Sequence, residues 1–468
     1  MRLMPCAALC LVVTFTAGPA LAEKGPDAIP VPPSGVIGVS NNAMLTPDFW
    51  IKQLAQPDQA LLDAATIAAQ NARLLKDDPS MHDLKALPAA LDRAQVTGWI
   101  NDISEFPTRP LYDIHGKAVP ADLKQQVTDQ LALDRVPVQQ ATRYGLIVQR
   151  AALRSFPTDT RVFTSADDTD IDRFQETAEF PGTPVIIAHE SRDGLWLFVV
   201  SARYAAWTHR ENVAEGSAKQ VFDYAGKLPV RVVTSSTIHT VYTPEQPALS
   251  QLQLDMGVAA PVLADHPADE PVNGQSPYAS YTVELPLRSA DGKLAFSPAL
   301  VQRIADTSDT YLPLTEANII RQGFKFLGER YGWGHDYDGR DCSGFVSDVY
   351  RSMGVQMPRN TSRQAISPVL THQAFTDKDS HEARMKAALA LQVGDLVYIP
   401  GHVMMVIGKL DDRPYVIHDT GGIAYVDGQG VMRHVALNEV SVTPLLPLMF
   451  DSKHSYVDRM TSIVHIRP

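Results

Sequence analysis

Cysteine is scarce in this sequence, with 3 residues in a chain of 468. Cys6 and Cys10 lie in an N-terminal segment that has the pattern of an export signal, and the third is Cys342. Removal of that signal would leave a single thiol, which excludes an internal disulfide. Cys342 therefore either packs as a small buried hydrophobic residue or takes part in chemistry.

The N-terminal segment combines a basic residue, an apolar run and a small-residue cleavage site, which together indicate a secretory signal. Arg2 supplies the charge, residues 7–15 the apolar run, and Ala20-Leu21-Ala22 the cleavage site. We expect the mature protein to begin near Glu23 and to be exported, either to the periplasm or out of the cell.

Other features that would indicate a function class are missing as well. After the signal there is no long apolar run, no paired Cys-x-x-Cys, no phosphate-binding glycine motif and no short-period repeat. These absences argue against a membrane span, a structural zinc site, a nucleotide site and a solenoid. The net charge of −12 disfavours a nucleic-acid-binding surface, which would need a basic face. We expect no metal and no cofactor.

The residues around Cys342 predict that the thiol begins a helix. Residues 331–341 are rich in Gly and Asp, as loops are, whereas Phe345, Val346 and Val349 recur at helical spacing before Gly354. The N-terminus of a helix stabilises a thiolate. We therefore expect the thiol pKa to fall from about 8.5 into roughly the 3.5–7.5 range.

Two of the 14 histidines occur where they could serve the thiol as a base. Residues 401–408 and 413–419 have the pattern of two strands joined by a turn at Asp411 and Asp412, which brings His402 close to His418. A thiol, a histidine base and a third polar group that orients the base form the arrangement of papain-like hydrolases. The alternatives are two structural histidines, or a metal site that lacks an evident third ligand.

Short motifs in the last third of the chain resemble the NlpC/P60 family of bacterial cell-wall cysteine peptidases. In chain order they are Asp341-Cys-Ser-Gly-Phe345, Pro358-Arg-Asn-Thr361 with Gln364, Gly394-Asp-Leu396, Gly401-His-Val403 and His418. Residues 311–333 resemble the lead-in of a multi-domain branch, in which a stabilising segment and two bacterial SH3-like domains precede the peptidase. That branch is similar to endopeptidases that cut the γ-D-glutamyl bond to the diamino acid of murein stem peptides, preferring a free N-terminal L-Ala.

Composition fits this layout and predicts a multi-domain α+β protein. Residues 43–136 are mostly helical by spacing, with one helix predicted from Asp58 to Leu75. Short strand signals follow from Val138 to Thr234, and a weaker run continues to Leu285, as expected of two small SH3-like β-barrels. The predicted boundaries are a signal peptide at 1–22, an extended arm and helical stabilising segment at 23–136, SH3-like domains at 137–222 and 223–305, and a papain-like α+β peptidase domain at 306–468.

The resemblance implies a role for each candidate site residue. Cys342 would be the nucleophile, His402 the base and acid, and His418 the group that orients His402. A free substrate amine needs carboxylate and hydroxyl acceptors, and residues of these types near the thiol are Tyr331, Asp341, Ser343 and Thr361. Glu176 and Tyr204 are the best matches for a Glu–Tyr pair contributed by the first SH3-like domain; otherwise they belong to the surface and the barrel packing.

The expected partner is a murein stem peptide or another peptidoglycan fragment, and two other functions remain open. An amidase or an acyltransferase on the same Cys–His scaffold would attack a different carbonyl group. A non-catalytic wall-binding protein would use its SH3-like domains and would not require the complete Cys–His–His set.

Overall fold

The computed structural model describes residues 31–32 and 34–467. The predicted signal at 1–22 and the first residues of the predicted arm lie outside this described part. No helix within it is both long enough and apolar enough to cross a membrane.

The N-terminal helical segment, residues 34–136, packs on the domains that follow it. Its helices are α1 (Pro47–Ile51), α2 (Ala64–Asp77), α3 (Arg93–Ile103) and α4 (Leu123–Gln130), with strands β1 (Ala60–Leu62) and β2 (Ala90–Asp92) and short 3-10 turns at Asn42–Leu45 and Leu133–Arg135. The predicted helix from Asp58 is wrong over its first residues. The carboxylate of Asp63 accepts the amide hydrogen of Thr66 and so begins α2 at Ala64, while β1 forms before it.

The first β domain, residues 139–225, is built on one antiparallel seven-stranded sheet. Its elements are β3 (Gln139–Ala141), β4 (Arg143–Ile147), β5 (Ala151–Arg154), β6 (Gln175–Glu179), β7 (Pro184–Glu190), β8 (Trp196–Val200), β9 (Ala205–His209), β10 (Val213–Gly216) and α5 (Ala218–Ala225), with a 3-10 turn at Arg210–Asn212. The strand order is β10-β4-β7-β8-β9-β5-β6, while β3 pairs with β2 instead. The last strand of this order, β6, lies against the C-terminal domain.

The second β domain, residues 230–308, has three small sheets. Its strands are β11 (Val230–Val233), β12 (Thr237–His239), β13 (Gln253–Asp255), β14 (Ala259–Pro261), β15 (Ser280–Arg288), β16 (Leu294–Gln302) and β17 (Thr307–Ser308), with a 3-10 turn at Pro247–Leu249. The pairings are β14-β11-β17, β12-β13 and β15-β16. Because β17 pairs with β11, this domain extends past the predicted boundary at residue 305.

The C-terminal domain, residues 314–467, packs helices on a six-stranded antiparallel sheet. Its elements are β18 (Leu314–Thr315), α6 (Glu316–Phe324), a 3-10 segment at Trp333–Asp338, α7 (Cys342–Arg351), α8 (Thr361–Gln364), β19 (Thr371–Ala374), α9 (His381–Ala390), β20 (Leu396–Ile399), β21 (His402–Leu410), β22 (Arg413–Val426), β23 (Met432–Pro444) and β24 (Ser462–His465). The sheet order is β19-β24-β20-β21-β22-β23, and β18 pairs with β1.

Helix α7 is central to this domain because its apolar face is completely buried. Phe345, Val346 and Val349 share one core cluster with residues of α6 and of the sheet. Burial of such side chains contributes roughly 1.5–3 kcal/mol each. The core therefore fixes α7 rigidly, and with it the position of Cys342, its first residue.

The predicted hairpin between the two candidate histidines is confirmed. Strands β21 and β22 pair antiparallel, with Leu410 opposite Arg413. Asp411 and Asp412, the two residues of the turn, both have positive φ, at 49° and 61°. Aspartate tolerates this left-handed conformation better than most residues, which favours a tight turn here.

Candidate active site

Cys342 occupies the first position of α7 and is almost completely buried, with 5% of its surface exposed. Its Sγ lies 3.8 Å from Oγ1 of Thr361 and 4.0 Å from the carbonyl oxygen of Gly401. Gly401 directly precedes His402 at the start of β21. The thiol therefore lies where a helix N-terminus meets the first residues of a strand.

His402 is the first of three polar side chains joined by hydrogen bonds. Its Nε2 is 2.7 Å from Nδ1 of His418, and Nε2 of His418 is 2.9 Å from Oγ1 of Thr443. Nδ1 of His402 has no hydrogen-bond partner within residues 34–467, so it is the ring nitrogen that remains open to a proton. If this nitrogen accepts a proton, Nε2–H of His402 donates to His418, and Nε2–H of His418 donates to Thr443.

The hydrogen bond between the two imidazoles argues against the metal alternative. Nitrogen atoms that bind each other are not converging on a common ion. Within the described residues, no group of three or more His, Cys, Asp or Glu side chains is arranged to hold a metal ion.

A cleft of about 530 Å³ opens at the thiol. It lies between α7, α8, the end of β20 and β6 of the first β domain. The lining side chains include five of the six predicted substrate-binding residues: Glu176, Tyr331, Asp341, Ser343 and Thr361. The sixth, Tyr204, lies behind Glu176 and donates its hydroxyl hydrogen to Oε2 of Glu176 at 2.6 Å.

Asp341 is the N-cap of α7 and is fully engaged by the protein. Its carboxylate accepts the amide hydrogens of Gly344, at 2.8 Å, and Gly334, at 3.0 Å. Arg359 donates to both of its oxygens, at 3.2 and 2.7 Å, and Ser343 donates its hydroxyl hydrogen at 3.1 Å. These five bonds leave Asp341 no obvious free position for a substrate amine, so its direct role in this structure is to cap the helix.

Arg359 connects the C-terminal domain to the first β domain. Its guanidinium is buried, and besides Asp341 it donates to Oγ1 of Thr177 at 2.6 Å and to Nδ1 of His335 at 3.0 Å. Thr177 follows Glu176 in β6. On the other side of Glu176, the indole of Trp333 donates to the carbonyl of Gln175 at 3.0 Å. Residues on both sides of Glu176 are therefore anchored, which makes this carboxyl group a rigid part of the cleft wall.

Burial sets the protonation of the site and overturns one expectation. Burial, together with the nearby Asp341 carboxylate, raises the pKa of the Cys342 thiol to about 12. Burial also lowers the pKa of His402 to about 4. The lowered thiol pKa expected from the helix N-terminus is therefore wrong for the free cleft, because burial of the thiol raises the pKa and the Asp341 carboxylate at that terminus adds to the rise.

Two further acidic groups are affected by burial. Burial raises the pKa of Glu176 to about 7, although the Tyr204 hydroxyl partly opposes this rise. The pKa of Asp419 is raised well above its usual value by burial and then by the charges of Asp341 and Glu329. Both carboxyl oxygens of Asp419 lack a hydrogen-bond partner in the described part of the chain.

Sequence reasoning did not identify Thr443, Asp419 or the role of Arg359. Arg359 belongs to the motif at residues 358–361 that the sequence shows. Its contact with Thr177, which lies 182 positions away, had no signal in the sequence. Thr443 had no signal beyond its place in a strand. Asp419 directly follows His418. The presence of an acidic residue in a buried strand was the one feature that could have identified Asp419 as unusual.

Two family models match the chain. The model described as the NlpC/P60 family matches residues 328–449, and the model described as an SH3 domain of the SH3b1 type matches residues 161–209. No curated protein matches the sequence significantly.

Two solved structures are similar to this chain at low sequence identity. An NlpC/P60 endopeptidase from Photobacterium damselae subsp. piscicida has a TM-score of 0.70 at 15% identity, covering 87% of this chain and 94% of that one. An NlpC/P60 family protein from Bacillus cereus ATCC 10987 has a TM-score of 0.47 at 19% identity, covering 69% of this chain and all of that one. The first likeness alone supports the arrangement of the domains described above.

Proposed function

This chain is a multi-domain NlpC/P60 protein with an SH3b domain, and from that premise we propose that it is a cysteine endopeptidase acting on peptidoglycan stem peptides. NlpC/P60 is a family of cysteine peptidases. The bond cleaved would join γ-D-glutamate to the diamino acid, in peptides that begin with a free L-Ala. The observation that carries the proposal is that a half-buried carboxyl group from another domain, Glu176, lines the same cleft as the Cys342 thiol.

The acylation step uses the thiol and the histidine chain. As Sγ of Cys342 forms a bond to the γ-carbonyl carbon, its proton passes to Nδ1 of His402. Because both groups are neutral in the free cleft, proton transfer accompanies attack instead of preceding it. The backbone N–H of Cys342 is one donor to the oxyanion, and the Tyr331 hydroxyl, which has no intramolecular partner among the described residues, is our candidate for the second.

Breakdown of the tetrahedral intermediate completes acylation, and hydrolysis of the acyl-enzyme follows. His402 gives its proton to the leaving amine of the diamino acid, and the C–N bond breaks to leave a thioester on Cys342. His402 then takes a proton from water as the water oxygen attacks the thioester carbon. Breakage of the C–S bond releases L-Ala-D-Glu and returns the proton to the thiol, which restores the neutral pair.

Recognition of the free amine is assigned to Glu176 and Tyr204. An ammonium group needs oxygen acceptors, and a buried carboxylate gives the strongest such contact. Asp341 already accepts hydrogen bonds from Arg359 and from two backbone amide groups. Glu176 is therefore the carboxyl group better able to accept hydrogen bonds from the substrate ammonium group. An N-acylated stem peptide has no ammonium group and would leave the charge of Glu176 without a counter-ion, with only the Tyr204 hydroxyl as a donor.

We further propose that the protein acts outside the cytoplasm. The pattern of residues 1–22 predicts export, and the proposed substrate is found in the cell wall and among its fragments. Periplasm and exterior both fit that pattern.

The test is to incubate purified mature protein, under reducing conditions, with L-Ala-γ-D-Glu-diaminopimelate and with its N-acylated form, and to identify the products by mass. We expect L-Ala-D-Glu from the free peptide only, and no product from a folded Cys342→Ala variant. Cleavage of both peptides would contradict the role of Glu176. Cleavage of neither, with Cys342 still alkylated by iodoacetamide, would favour an amidase or an acyltransferase.

A further inference from the structure

Arg340, two residues before the thiol, has a fully buried guanidinium group. It donates to Oδ2 of Asp348 at 3.0 Å, to Oε1 of Glu329 at 2.9 Å and to Oδ1 of Asp255 at 2.7 Å. Asp348 and Glu329 belong to the C-terminal domain, as Arg340 does. Asp255 is the last residue of β13 in the second β domain.

The backbone of Arg340 is connected to residues on both sides of the cleft at the thiol. Its carbonyl oxygen accepts the amide hydrogen of Gly332 at 2.7 Å, and the residue forms an isolated parallel bridge with Tyr331. On the C-terminal side of Arg340, the backbone continues through Asp341 to Cys342. A displacement of Arg340 would therefore move both the thiol and the Tyr331 side chain that lines the cleft.

The second β domain also holds the far end of α7. Arg351, the last residue of α7, donates from its Nε to the carbonyl oxygen of Met256 at 3.0 Å. Its Nη2 lies 3.0 Å from Oδ1 of Asp348, the residue that also accepts from Arg340. Asp255 and Met256 are adjacent, so one short segment of the second β domain contacts the polar network at both ends of the helix.

Three arginines and four carboxylates form this network. The arginines are Arg150, Arg340 and Arg351, and the carboxylates are Asp255, Asp348, Glu329 and the exposed Asp338, which pairs with Arg150 at 3.1 Å. Buried ion pairs contribute little net stability, because desolvation offsets their attraction. Their value here is geometric, since several charge-assisted hydrogen bonds allow the guanidinium one orientation.

We propose that Asp255 is a positioning residue for Cys342, acting through Arg340, so that the second β domain is part of the catalytic apparatus in addition to any role in wall binding. The proposal rests on the endopeptidase function for its turnover readout. Without the Asp255 carboxylate, Arg340 keeps Asp348 and Glu329 in the C-terminal domain. Its one remaining hydrogen bond to the second β domain is to the carbonyl oxygen of Ser236, at 3.0 Å, a neutral acceptor that holds the guanidinium less strongly than a carboxylate. A shift of about 1 Å at a reacting group can cost on the order of 100-fold in rate.

The experiment compares full-length mature Asp255→Asn, Arg150→Gln and the double variant with wild type. The double variant removes one charge of each sign, because Arg150 is the second cation at Asp255, with its Nε 3.5 Å from Oδ1. Arg150→Gln alone measures the loss of Arg150's own bonds to Asp338 and Gly339, at 3.1 and 2.9 Å. The matched control is Asp309→Asn, which removes a carboxylate paired with Arg231 in the same region but outside the network. Measurements are kcat and KM on L-Ala-γ-D-Glu-diaminopimelate, the rate of Cys342 alkylation by iodoacetamide at one fixed pH, and thermal unfolding.

We expect Asp255→Asn and the double variant to lose at least about tenfold in kcat with KM within twofold, and to change the alkylation rate, while Asp309→Asn matches wild type. The proposal is overturned if either folded variant keeps kcat and alkylation within twofold of wild type, or if Arg150→Gln alone accounts for the loss. Failure of both Asp255 variants to fold would also overturn it, because Asp255 would then be required for stability. If wild type does not cleave the peptide, a changed alkylation rate still supports the positioning role.

Discussion

Nε2 of His402 lies 2.7 Å from Nδ1 of His418, and this bond leaves Nδ1 as the nitrogen of His402 that is open to a proton. The contact follows from the register of β21 and β22, in which Met405 is opposite Ile417. That register makes His402 a diagonal neighbour of His418 on the same face of the sheet.

Replacing His418 should impair catalysis through the orientation of His402. We expect His418→Ala to lower kcat by about 100-fold or more, because the imidazole of His402 would be free to adopt the wrong tautomer. His418→Asn keeps an oxygen acceptor and should retain more activity. Thr443→Val removes only the end of the chain and should cost less than about tenfold. Equal activity of His418→Ala and wild type would show that His402 needs no orienting group.

The pKa of Glu176 predicts how substrate capture depends on pH. Burial raises this pKa to about 7, so the carboxyl group is neutral below that pH and charged above it. Because an ammonium group binds the charged form, kcat/KM should rise with pH through about 7, as kcat/KM reports groups of the free enzyme.

Glu176→Gln should lower kcat/KM at pH 8 by about 10- to 100-fold and abolish this rise. Glu211→Gln, at an exposed position of the same domain, is the matched control and should keep the wild-type profile. A Glu176→Gln profile that still rises through pH 7 would assign the titration to another group.

The pKa of the thiol predicts its reactivity in the absence of substrate. Since burial raises the pKa of Cys342 to about 12, the thiolate fraction should grow about tenfold per pH unit between pH 6 and 9. Alkylation by iodoacetamide, followed by mass, should show that slope without a plateau. A plateau between pH 5 and 8 would instead indicate a preformed thiolate–imidazolium pair.

Asp419 should make stability depend on pH. Its folded-state pKa is raised, so its contribution is fully present below the unfolded value of about 3.9 and is lost as pH rises toward the folded pKa. Relative to wild type, Asp419→Asn should therefore gain unfolding free energy by up to about 1.4 kcal/mol per pH unit over this window.

Thermal unfolding of both proteins at several pH values between 5 and 8 measures that difference. The exposed Asp412→Asn variant is the control and should follow wild type. A pH-independent difference between Asp419→Asn and wild type would mean that Asp419 is ionised in the folded protein.

The sequence by itself determined the local features of the site. A Gly- and Asp-rich loop followed by helical spacing predicted that α7 begins near Cys342, and strand patterns with an Asp-Asp turn predicted the hairpin that pairs His402 with His418. Both depend on residues close together in the chain, where backbone propensity and hydrophobic periodicity act. The predicted multi-domain fold is confirmed for the same reason, whereas the catalytic and binding roles stay predictions.

Only the tertiary structure decided the electrostatics of the cleft and the contacts between domains. The thiol pKa depends on burial by distant segments and on what already occupies the helix N-terminus, so its direction could not be derived from position alone. The contact of Arg359 with Thr177 spans 182 positions and that of Asp255 with Arg340 spans 85. Such pairs form when packed domains exclude water around charged groups, and no local pattern in the chain encodes that.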